Sequence, residues 1–309
     1  MMRFLPKNWM LFLPLIFMLT GCALPAADAQ PAPNATLVLP LLSQTPPPPT
    51  QSPIIATATM VAPLVSQSAA AVILVEEGDA LNLRTAAGIE NPVVKEIAAN
   101  ATGLVRIGQT QLIGEEIWAE IHTSTGEAGW VNARYLTEYV SAETFCLDSQ
   151  VQFLLDNFQV ALENKDGELF ASLVSPIHGL DLRYYRYGTL ANYTTEEAAW
   201  AFQSTYEVDW GDEPGSGFEK LGSFSEIPLP ILQEVFGATH ERLCNDVGVA
   251  SSFAPEPWLP EYANINFYNI FKPGTDQYGG LDWRSWLVGV EYVGGKPHLF
   301  ALILFQWEP

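Results

Sequence analysis

Leu299-Phe300-Ala301-Leu302-Ile303-Leu304-Phe305 is apolar at every position. Successive side chains of a strand point to opposite faces, so a strand of this composition needs cover on both sides. It must lie centrally in a sheet or beneath a helix. A second apolar run, residues 285–293, precedes it, and the linking Gly294-Gly295 suits the positive φ angles of a tight hairpin turn. Helices packed on a sheet are therefore expected at this end of the chain.

The residues upstream supply those helices. Val151, Leu154, Leu155, Phe158, Ala161 and Leu162 recur at helical spacing, opened by Asp148 or Ser149 as cap and closed near Gly167. Residues 168–174 read as a second, short helix ended by Ser175-Pro176, and residues 180–187 as a strand. Thr194-Thr195-Glu196-Glu197 is a helix start leading into residues 198–206. The expectation for residues 141–309 is an α+β domain with a mainly antiparallel sheet. Its order of elements is similar to the start and finish of NTF2-like and cystatin-like domains, although residues 210–271 are longer and richer in loops than that pattern needs.

Residues 71–140 carry short strand signals, including residues 72–75, separated by turn residues at close spacing, which predicts a small all-β barrel. Leu81-Asn82-Leu83-Arg84-Thr85, Pro92-Val93-Val94, Trp118-Ala119-Glu120-Ile121 and the stretch from Gly126 through Gly129-Trp130-Val131 to Tyr135-Leu136 resemble the motifs of bacterial SH3-like (SH3b) domains. The fold expected for the whole is thus multidomain: an SH3-like barrel followed by the α+β domain. The resemblance implies recognition of a cell-wall or envelope peptide or glycan. Trp118, Trp130 and Tyr135 could offer a stacking surface for such a ligand, or fill the core that a barrel of this size needs. Arg84 is expected to brace the barrel.

Residues 22–70 are rich in Pro, Ala and Thr, with Pro46-Pro47-Pro48-Pro49 at their centre and almost no charge. Such a segment buries too little apolar surface to offset its ordering entropy, and it reads as a disordered stalk. Before it, Arg3 and Lys7 lead into an apolar run from Trp9 to Leu19 that ends in Leu19-Thr20-Gly21-Cys22. Basic start, apolar core, small residues and cysteine, in that order, resemble the lipobox of bacterial lipoproteins. The resemblance implies that residues 1–21 are a signal peptide, that Cys22 carries the lipid, and that the remainder lies outside the cytoplasmic membrane, at the cell surface or in the periplasm. An ordinary secretory signal or an N-terminal membrane helix is the alternative, and the run is short for a span.

Of three cysteines, lipidation leaves Cys146 and Cys244, read as one disulfide in an oxidising compartment. The formal charge is −21 and becomes −23 when Arg3 and Lys7 leave with the signal peptide. So acidic a chain is repelled by nucleic acid and by anionic headgroups, which excludes nucleic-acid binding.

Four constellations bear on chemistry. Cys146 before a helix invites comparison with NlpC-type cysteine peptidases, but Phe145-Cys146-Leu147 departs from that family's Asp-Cys-Ser, and no partnering histidine motif follows. His240-Glu241-Arg242-Leu243-Cys244 resembles the zinc-protease helix with cysteine in place of the second histidine. Asp209, Asp212 and Glu213 could hold calcium or be a solvated loop. Glu196, Glu197, Glu261 and Glu291 are the pool for paired-carboxylate hydrolysis, Glu291 being placed in an apolar strand and open to pairing with Arg284 or Lys296. No metal or cofactor is expected. Arg183 and Arg186, interleaved with Tyr184, Tyr185 and Tyr187, could frame a pocket for a glycan or a carboxylate-bearing ligand. The reading that follows is a non-catalytic, lipid-anchored extracytoplasmic binding protein, with a cell-wall hydrolase and a structural or assembly lipoprotein as alternatives.

Overall fold

In the computed structural model of the protein the described residues are 67–308 except Arg186, Phe253 and Pro255. The expected signal peptide, Cys22 and the expected stalk as far as residue 66 lie outside them, as does the expected pocket residue Arg186.

Seven strands form the first sheet: β1 (Ser68–Val72), β2 (Ala80–Arg84), β3 (Val93–Ala98), β4 (Leu104–Ile113), β5 (Glu116–His122), β6 (Ala128–Asn132) and β7 (Leu136–Glu138). Their order is β3-β2-β6-β5-β4-β1-β7, every pairing is antiparallel, and the sheet makes a half-barrel. Alternation places Leu81 and Leu83 of β2 inside, with Asn82 and Arg84 outward, and the interior is completed by Val72, Ile97, Ile121 and Val131. The first strand begins three residues before the expected boundary. Ser68, Ala69 and Ala70 fall within the expected stalk, yet Ala70 is fully buried and pairs with Leu104 on one side and Glu138 on the other. Alanines carry little strand signal, so tertiary packing decides the matter.

The second sheet takes β8 (Leu180–Arg183), β9 (Leu190–Tyr193), β12 (Glu241–Cys244), β13 (Asn266–Lys272), β14 (Arg284–Val293) and β15 (Lys296–Gln306), in the order β12-β13-β14-β15-β8-β9. Only the β15–β8 pairing is parallel. A separate hairpin pairs β10 (Val208–Asp212) with β11 (Glu219–Gly222). Among the described residues five α-helices accompany them: α1 (Ala142–Leu147), α2 (Ser149–Asn164), α3 (Gly167–Leu173), α4 (Thr195–Trp200) and α5 (Pro228–Gly237).

The cover demanded by the C-terminal run is present on both faces. Leu299, Leu302 and Leu304 of β15, with Trp286 and Val288 of β14, pack into the helix-side core alongside Phe158, Phe170 and Leu232. Phe300, Ala301, Ile303 and Phe305 enter a second core with Tyr262, Phe267 and Leu287. A register shift after Gly289 lets Phe300 and Ala301, adjacent in sequence, both face that second core. Gly294 and Gly295 turn the hairpin with φ of 61° and 73°.

Local signals place these elements with two corrections, one to a helix and one to a strand. Asp148 caps α2 by accepting from the Gln150 amide at 2.8 Å, and Thr194 and Glu197 make the capping box of α4. The helix expected through residue 206 stops at Trp200, because Ala201 and Phe202 turn into the core while the Gln203 and Ser204 amides close on the Trp200 carbonyl. The strand expected over residues 180–187 ends at Arg183, since Tyr184 and Tyr185 fold inward, and the chain returns as β9.

Contacts run across residue 140 within one unit. Ile73, just after β1, is buried in the second core, while Val72 and Val75 belong to the half-barrel. The Leu74 amide between them donates to the Glu261 carbonyl at 2.8 Å, and the Glu138 carboxylate accepts from the Gly294 and Gly295 amides at 2.8 and 2.9 Å.

Candidate functional site

The seam between the two sheets carries a buried polar cluster. Glu291 is 2% exposed and sits opposite His298 on β15. Its carboxylate accepts from the Ser175 hydroxyl and pairs with His178 Nδ1 at 2.7 Å, while His178 Nε2 lies 2.9 Å from the Arg134 carbonyl of the half-barrel. Both ring nitrogens of His178 therefore face acceptors. Arg106 donates to the Leu136 carbonyl at 2.9 Å, and burial lowers its pKa against the opposing pull of Glu138 and Glu291. Burial likewise pushes the neighbouring His298 down.

Serine, histidine and glutamate side by side resemble a nucleophilic triad, but the connectivity does not. Ser175 is bonded to the carboxylate instead of to imidazole, and the nitrogen that would serve as base faces a main-chain carbonyl. Ser175 is 1% exposed and the His178 side chain 5% exposed, at the border of a cleft. Glu291 pairs with neither Arg284 nor Lys296, because its side chain turns to the seam instead.

Beside this cluster opens a cleft of about 670 Å³ between the half-barrel and the second sheet, with Glu76, Arg134, Asp181, Asn192 and Glu261 on its walls. Asp181 is held by Asn192 Nδ2 at 2.8 Å and by the Tyr262 hydroxyl. Burial, then the Asp181 charge, raises the Tyr262 pKa far above that of a free phenol, so it stays a donor. Leu74, Glu76 and Tyr135 are shared with a second groove of about 470 Å³ on the half-barrel, where Trp118, Asn82 and Asn132 also contribute. At this meeting point Leu74 adopts a left-handed backbone with φ of 58°, uncommon for a branched side chain.

The sequence-predicted ligand residues are divided by the fold. Trp118 and Tyr135 line the half-barrel groove, Trp118 only 3% exposed and with its indole N–H unpaired among the described residues. Trp130 is buried at 8% against Trp118 and Ala87, away from that groove. Arg84 braces the barrel by donating to the Asn91 carbonyl at 2.7 Å. Arg183 and Tyr185 do not join these residues: Arg183 borders a small cavity with Glu256 and Phe305, and Tyr185 is buried edge-on against Tyr184.

The remaining candidates take other places. Cys146 lies near the end of α1 instead of at a helix start, and its sulfur is at bonding distance from that of Cys244, with 5.8 Å between their Cα atoms. Glu241 to Cys244 is strand β12, so His240 and Cys244 do not share a helical face, and His240 Nδ1 is 3.0 Å from the Ala238 carbonyl. Asp209 and Asp212 belong to β10, where Asp209 accepts from the Gly211 amide at 2.8 Å. Among the described residues no group of three or more His, Cys, Asp and Glu side chains could hold a metal ion, and no helix is long and apolar enough to cross a membrane. Ser175, His178, Asp181 and Asn192 escaped the sequence reading; Asp181 between Leu180 and Leu182 was the available signal, a charge interrupting an apolar strand. Compared with known proteins, the chain matches no family model, no curated protein and no solved structure.

Proposed function

We propose that the protein is a lipid-anchored extracytoplasmic binding protein without a catalytic centre, built from an SH3-like module and an α+β module. In this reading Cys22 carries the anchor, and the half-barrel groove recognises a peptide or glycan of the cell wall or envelope. The observation that carries it is the groove itself, where the near-buried indole of Trp118 and the half-buried ring of Tyr135 stand among the amides of Asn82 and Asn132. Aromatic faces with a few fixed polar groups are what a neutral polymer ligand needs. Glu76, Asp79 and Glu116 outnumber Arg84 along this groove, which disfavours an anionic ligand and suits a neutral glycan or an amine-bearing peptide. The hydrolase alternative finds no support at the seam, where Ser175, His178 and Glu291 satisfy one another and the backbone.

The test incubates the full chain, solubilised in detergent, with insoluble bacterial cell walls and measures the fraction retained. Retention that falls at least about fivefold with Tyr135→Ala agrees with the reading. Walls that retain nothing, or that release soluble fragments, overturn it.

A further inference from the structure

Strand β9 ends the second sheet, and its only ladder is with β8. In an antiparallel pair, alternate residues turn their amide and carbonyl away from the partner, so two of the four residues of β9 present main-chain donors and acceptors outward. No backbone or side-chain group among the described residues bonds to them. A groove of about 510 Å³ follows this open edge, lined by five consecutive residues, 189–193, on one side. Trp200 and Tyr206 lie on the other side, 66% and 77% exposed, with Val208 of β10 beside them. Together with Leu190 at 39% they form an exposed apolar patch. Its only charged lining residues are Glu196 and Glu197, on a chain of net charge −21.

We propose that this edge receives an extended, basic segment of a partner protein by strand addition. The open amides and carbonyls of β9 supply the ladder, Trp200, Tyr206 and Leu190 take alternate apolar side chains, and Glu196 faces the lysines or arginines between them. Glu197 is committed to its capping box, where it accepts from the Thr194 amide at 2.9 Å, whereas Glu196 accepts from the Thr195 hydroxyl at 3.2 Å and keeps its other oxygen for the ligand. An open backbone edge favours a peptide over a sugar, which would leave the β9 amides unpaired. Neither Trp118 nor Tyr135 lines this groove, although Leu190, Asn192 and Glu196 also border the cleft that Tyr135 lines.

The probe is a fluorescein-labelled peptide of alternating lysine and valine, titrated into the detergent-solubilised full chain and followed by anisotropy. It is expected to bind, with the outward-facing amides of β9 gaining protection from hydrogen exchange. Trp200→Ala, at a position too exposed to matter for folding, should weaken binding at least about tenfold. Glu196→Gln should weaken it less. A peptide of alternating glutamate and valine should not bind, and placing proline at the central valine should weaken the basic peptide at least about tenfold by removing an amide. Equal binding of the proline peptide, binding untouched by Trp200→Ala, or a groove that takes chito-oligosaccharide and not the peptide would each overturn the proposal.

Discussion

Replacing Glu291 by alanine removes the carboxylate that holds the seam together. Two polar groups then lose their partner in a dry place: the Ser175 hydroxyl, on a residue 1% exposed, and His178 Nδ1, on a side chain 5% exposed. Each stranded group costs about 1–3 kcal/mol, and breaking a buried pair from one side costs about 3–5 kcal/mol in all. A domain of ordinary stability has about 5–15 kcal/mol to lose, so the variant should remain folded but fragile. Glu291→Gln keeps the volume and one acceptor, and should cost only about 1–2 kcal/mol. Urea unfolding of the full chain, followed by tryptophan fluorescence, reads both as a lower midpoint at unchanged slope. The double variant with His178→Ala closes a cycle whose coupling should exceed about 1 kcal/mol. The reasoning is refuted if Glu291→Ala costs less than about 1 kcal/mol, or if glutamine is as damaging as alanine.

Two further expectations follow from the same structure. Hydrogen bonds from the Thr123 and Thr125 hydroxyls, and then from Lys95, hold the Glu127 carboxyl down from its ordinary 4.5 to about 2. Because the folded value is the lower one, the stabilisation is full above about 4.5 and is lost as pH falls toward 2. Carboxyl-carbon NMR should find that midpoint and see it rise in Thr123→Val, and an unshifted midpoint near 4.5 in the unmodified protein refutes the assignment. At a sequence separation of 98, the Cys146–Cys244 link should be worth about 4–5 kcal/mol by loop entropy, lost in the double serine variant. A thiol reagent should find both sulfurs only after reduction, and one that reacts beforehand refutes the link.

What could be read from the residues was what local pattern determines. The stripe of α2, the capping box at Thr194 and Glu197, the glycine hairpin and the two-sided cover of β15 each follow from neighbours within one turn or one strand. The polar seam follows from no such neighbourhood. Ser175 and His178 meet Glu291 across separations of 116 and 113 residues, and each of them alone looks like an ordinary loop or strand residue. For Trp118, Tyr135 and Trp130 the strand motifs gave position along the chain but not which ring the half-barrel would take inside, because that depends on the cross-strand neighbours of β2, β5 and β6. The edge groove was hidden for a related reason: a helix expected through residue 206 would have placed Tyr206 on α4, whereas its early stop leaves the ring facing β9 across a gap.

The position of β1 has a mechanical meaning. Whatever holds the chain upstream of Ser68 pulls on a strand clamped from both sides, by β4 through Ser68, Ala69 and Ala70 and by β7 through Ala70, Ala71 and Val72. A pull along the strand axis loads both ladders together in shear, so their bonds must break in concert and not one after another. Ile73, seated in the second core just beyond them, passes the remaining load to the sheet of β14 and β15. Drag on the body of the protein is thereby spread over both sheets, and the first element to yield under tension should be neither the groove at Tyr135 nor the open edge at β9.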